Sequence, residues 1–196
     1  MIRNLFVWLL LSGATLALAA CCGNVPCDKQ DDYADALFFK FNLDSTSTQG
    51  FRRKDIDTVY LKRYSLPDTV LNTKPTVETI RLLRPQRQDS LPIIINNNTP
   101  FTAANNRKLN SYRYTLFVVR YPATSKPKII DTVRFVLDNI KLDTRLEGEG
   151  CCMYYRNLSK IVEVSEMRQF GMRQNTVRCD VTKKNGQDQP ITLNRF

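Results

Sequence analysis

"SYRYTLFVVRY", residues 111–121, is the stretch whose reading decides the fold. It is rich in aromatic and β-branched residues, the types that pack well on a pleated surface. In an extended chain successive side chains point to opposite faces. Tyr112, Tyr114, Leu116 and Val118 therefore share one face, and Arg113, Thr115, Phe117, Val119 and Tyr121 share the other. Apolar groups on both faces mark a central strand. Tyrosines in such a strand also offer an amphipathic platform to a sugar or a protein partner. Tyr112 and Tyr114 are accordingly a first candidate binding surface, and Tyr154, Tyr155 and Arg156 a second.

Outward from this strand the same kind of segment recurs. "ALFFKFNL" (36–43) alternates Leu37, Phe39, Phe41 and Leu43 on one face. "IDTVYLKRY" (56–64) and "TVETIRLL" (76–83) are β-branched and bounded by Pro67, Pro75 and Pro85. "PIIINN" (92–97), "IIDTVRFVL" (129–137), "CCMYYRN" (151–157) and "KIVEV" (160–164) continue the series. Near the end, "NTVRCDV" and "PITLNRF" flank Asn185-Gly186, the strongest hairpin turn signal in the chain. The helical candidate is "SEMRQF" (165–170), stopped by Gly171. Many short strands with only seven glycines predict a mainly β protein. The expected architecture is an antiparallel β-sandwich, immunoglobulin-like or transthyretin-like, with at most one short helix.

The N-terminus follows a different logic. Arg3 precedes the apolar run Leu5–Leu11, and small residues follow it, the order of a secretory signal whose core is too short to span a bilayer. Leu18-Ala19-Ala20-Cys21 resembles the lipobox of bacterial lipoproteins. The resemblance implies that Cys21 carries the lipid and that residues 1–20 are removed, with several acyl chains giving stable anchoring. Residues 21–35, "CCGNVPCDKQDDYAD", read as a flexible tether, and 36–196 as a single β-rich domain. Cys22 rather than Asp follows the lipidated cysteine, which within that family implies the outer membrane. In overall pattern the chain is similar to small β-rich envelope lipoproteins of Bacteroides-type bacteria. Asp57-Thr58-Val59, Asp68-Thr69-Val70, Asp131-Thr132-Val133, Asp44-Ser45-Thr46 and Asp89-Ser90-Leu91 resemble the O-glycosylation tripeptide of such organisms.

The chain carries a formal charge of +10, or +9 once Arg3 leaves with the signal. Its basic residues are scattered, no nucleic-acid recognition signature is present, and no nucleic-acid partner is expected. Envelope proteins or polysaccharide are the expected partners, beside the membrane itself through the anchor. Histidine is absent, which excludes Ser-His-Asp and Cys-His catalysis and histidine-ligated metal sites. Glu147-Gly148-Glu149 is the nearest approach to a carboxylate pair, and it reads as a polar turn before a strand. Of six cysteines, Cys21 is assigned to lipid, and Cys27, Cys151, Cys152 and Cys179 are the disulfide candidates. One of the adjacent pair bonded to Cys179 would tie its strand to the last hairpin, leaving the other to reach Cys27 or Cys22. The expected role is non-catalytic binding or assembly, with no cofactor and no metal. An envelope hydrolase or thiol enzyme using carboxylates or a free cysteine is the alternative.

Overall fold

The computed structural model describes residues 7–8, 11–12, 35–44, 46–67, 74–97, 99–102, 108–120, 131–149, 152–167, 173–184 and 186–195. Nine strands build two sheets: β1 (Leu37–Phe41), β2 (Thr58–Ser65), β3 (Val77–Leu83), β4 (Ile93–Ile95), β5 (Tyr112–Arg120), β6 (Asp131–Glu149), β7 (Cys152–Met167), β8 (Arg173–Asp180) and β9 (Ile191–Leu193). The larger sheet runs β3-β2-β5-β6-β7-β8 and the smaller β4-β1-β9. Every neighbouring pair is antiparallel except β1 with β9. The sandwich expected from strand spacing is thus present, and "SYRYTLFVVRY" does supply an interior strand.

The core lies between the sheets. Leu37, Phe39 and Phe41 of β1, Ile93 and Ile95 of β4, and Ile191 and Leu193 of β9 pack against Val59, Leu61, Tyr114, Leu116, Val118, Phe135 and Leu137. Alternation in β1 holds for Leu37, Phe39 and Phe41, and the strand ends before Leu43, which is exposed. Phe101 and Leu109, from the segment before β5, are fully buried and belong to the same core.

Three local expectations are corrected. "SEMRQF" does not begin a helix: β7 continues through Met167, because Ser165 and Glu166 pair with both Val136–Phe135 of β6 and Thr176–Gln174 of β8. Short helical structure appears instead as 3-10 turns at Arg53–Asp55, Gln86–Gln88 and Leu109–Ser111. Glu147-Gly148-Glu149 is not a turn but the last part of β6, opposite Tyr154, Met153 and Cys152. Asn185-Gly186 does sit at a tight turn, with Lys184 and Gln187 bridged and Gly186 at φ 75°. Its flanking strands do not form a hairpin, since β8 belongs to the large sheet and β9 crosses to lie beside β1.

The long β6 and β7 shape the molecule most. β5 accompanies β6 only as far as Leu137, and β8 accompanies β7 only as far as Ile161. Beyond those points, among the described residues, Lys141–Glu149 and Cys152–Ser159 form strand pairs only with each other, a two-stranded ribbon of about 30 Å. Register shifts near Asn139 and Leu158 interrupt the pairing of the two strands.

Candidate binding surfaces

Tyr112 and Tyr114 face inward. They are 6% and 1% exposed and belong to the core, which removes them as a binding surface. Two forces hold them there. Tyr114 donates its hydroxyl to the Leu109 carbonyl at 3.3 Å, and burial pushes its phenol pKa well up. Tyr112 packs against the guanidinium of Arg63, which lies between it and Phe101 at 4.6 and 4.8 Å from the two ring centres. Arg63 is buried and closes its charge on Glu78 at 2.7 Å. A buried cation with two ring faces and one carboxylate is a structural clamp.

The residues that reach the surface are the other half of the same alternation. Phe117 of β5 pairs in register with Tyr60 of β2, and the rings stack at 5.0 Å and 8°. Arg81 lies opposite Tyr60 on the far strand, and Arg134 lies opposite Phe117. One row across the outer face of the large sheet therefore reads Arg81, Tyr60, Phe117, Arg134. The two aromatics are half-buried and the two arginines exposed. Lys62, on the same face, lies over the Tyr64 ring at 5.1 Å. This face carries a stacked aromatic pair between cations, and the sequence reading missed it because strand alternation defines two faces without saying which one the core takes. Tyr60 in "IDTVYLKRY" and Phe117 were the available signal.

Tyr154, Tyr155 and Arg156 lie on the ribbon, but not as one patch. Tyr154 and Arg156 share a face with Glu147, whose carboxylate accepts from the Tyr154 hydroxyl at 3.4 Å and lies 3.6 Å from Arg156. Tyr155 is on the opposite face, paired with Leu146, and both are about half exposed. That second face continues the core side of the sheet. Leu142 packs on the core, Thr144 and Asn157 both donate to the carboxylate of Asp35, and Leu146, Tyr155 and Met153 follow toward the tip. The small sheet is too short to cover it. Asp35, read as the end of the tether, is buried against the ribbon. Deeper at the same place, the ammonium of Lys160 donates to the Ala36 carbonyl at 2.7 Å, and burial lowers its pKa to about 8.

The expected Cys179 disulfide is not formed. Cys179 is a free, half-buried thiol opposite Val162, ten residues and about 33 Å along β7 from Cys152. Burial raises its pKa, the reverse of what a thiolate nucleophile needs. Cys152 is disulfide-bonded. Cys21, Cys22, Cys27 and Cys151 lie outside the described residues, as do the lipobox and residues 21–34. Among the described residues no group of three or more Cys, Asp or Glu is placed to hold a metal ion, and no helix is long and apolar enough to cross a membrane. No family model, curated protein or solved structure matches this chain.

Proposed function

We propose that the protein is a lipid-anchored module of the outer membrane that binds an acidic envelope polymer on the outer face of its six-stranded sheet. The observation that carries the binding role is the Arg81–Tyr60–Phe117–Arg134 row: the aromatic pair offers apolar contact to the C–H groups of a sugar, and flanking cations favour an anionic chain. The anchoring rests on Leu18-Ala19-Ala20-Cys21 and on the signal-like residues before it.

Two measurements test the two halves separately. The intact mass of the membrane-extracted protein is expected to show acyl chains on Cys21, and an unmodified Cys21 removes the anchor. Binding to immobilised polygalacturonate is expected to weaken with salt and to fall about tenfold in Tyr60→Ala/Phe117→Ala, which removes the stacking surface. Unchanged binding in the double variant removes the sheet face as the site.

A further inference from the structure

At the end of β1 away from Asp35, the loop 42–53 and the residues after β9 enclose a cavity of about 460 Å³. The loop is tightly built. Asn42 and Asp44 accept backbone N–H groups two residues on, and a Cβ at Gly50 would stand 2.0 Å from the Asp44 carbonyl oxygen, so only glycine fits. Arg195 is tied to this loop by its backbone N–H, which donates to the Gln49 carbonyl at 2.7 Å. Three arginines line the cavity, and their charges are not equally spent. Arg52 holds buried Asp55 through two bonds of 2.9 Å, and Arg53 pairs with Asp89. No carboxylate among the described residues lies in ion-pair range of Arg195.

The wall also holds an unused acceptor. Asp89 has a side chain only 9% exposed, and its Oδ1 is buried without a hydrogen-bond partner while Oδ2 takes Arg53. Arg53, 45% exposed, covers Asp89 and also donates to the Gln86 carbonyl at 2.6 Å. Phe51 and Leu43 add apolar surface, and Ser47 and Thr48 line the rest.

We infer that this cavity is a binding site for a sugar acid. One uncommitted guanidinium matches one carboxylate, in the bidentate geometry that arginine favours. The unpartnered acceptor on Asp89 favours a ligand that carries several hydroxyl donors beside its anionic group, as a sugar acid does. The apolar wall suits the C–H face of a pyranose ring, and the volume is in the range of small-ligand pockets. The site lies at the end of β1 opposite to Asp35. The inference stands independently of anchoring and of the sheet face.

Calorimetric titration of the full chain with D-glucuronate, glucose and inorganic phosphate tests it. Glucuronate is expected to bind at least about tenfold more tightly than either of the others. Arg195→Ala is expected to cost glucuronate about tenfold or more, and Arg195→Lys to recover part of that. Arg195 lies beyond the last strand, and circular dichroism of each variant checks that the fold is kept. Phosphate binding as tight as glucuronate, unchanged affinity in Arg195→Ala, or no titratable glucuronate binding would each overturn the assignment.

Discussion

Lys160 shows how a single side chain couples this fold to pH. Its ammonium is buried, with desolvation the dominant influence, and its pKa is lowered to about 8 from an ordinary value of 10.5. Between those values the unfolded chain holds a proton that the folded one has released, so stability rises with pH. The expected gain is roughly 2 kcal/mol from pH 8 to 10, measured by urea denaturation, and Lys160→Met should flatten it. The window closes near pH 10, where Tyr114, whose raised pKa keeps it protonated in the fold, begins to oppose the trend. Arg63→Ala is expected to cost about 3 kcal/mol, because it empties the slot between Phe101 and Tyr112 and orphans Glu78. Neither residue was legible as special. A lysine and an arginine in alternating strands read as solvent-facing until register puts them on the core side. The same ambiguity misassigned Tyr112 and Tyr114, since the face that carries Phe117 and Val119 was equally apolar.

The strands themselves were legible where apolar alternation was strong, as in β1, β2 and β5. The β6–β7 ribbon was read in pieces, because bulges break the period that strand reading relies on: Leu158 is an extra residue between Asn157 and Ser159, and two residues stand between Asp138 and Lys141. Once the bulges are counted, the ribbon is amphipathic, with Arg145, Glu147 and Arg156 on one face and Leu146, Met153 and Tyr155 on the other. In its middle the ribbon is held from outside by Asp35, through Thr144 and Asn157. Asp35→Ala should therefore leave the slowly exchanging amides of β2 and β5 unchanged while those of Thr144–Gly148 exchange about tenfold faster, read by hydrogen exchange. Equal acceleration throughout would mean that Asp35 supports the whole sandwich instead.

At the scale of the molecule, strand count and sheet class were legible, and the closure of the smaller sheet was not. Asn185-Gly186 points to a local hairpin, and local signals carry no information about the 152-residue separation between Asn42 and Asn194, whose side chains meet at 3.0 Å. β9 completes the small sheet beside β1 and buries Ile191 and Leu193. Removing residues 191–196 takes away two core side chains, about 3–6 kcal/mol, a large share of the stability of an ordinary domain. The shortened chain is expected to lose its cooperative thermal transition, followed by calorimetry.

The parallel pairing of β1 with β9 also sets a clock. Phe39 and Phe41 wait for Ile191 and Leu193, so during synthesis β1 can pair early with β4 on one edge but stays open on the other until about 150 further residues have been made. A polypeptide that cannot finish its sheet early folds late. Joining β9 ahead of β1 through a short linker, in a circularly permuted chain, would let these two strands pair at once, and such a variant is expected to refold faster than the natural order of strands, followed by stopped-flow circular dichroism.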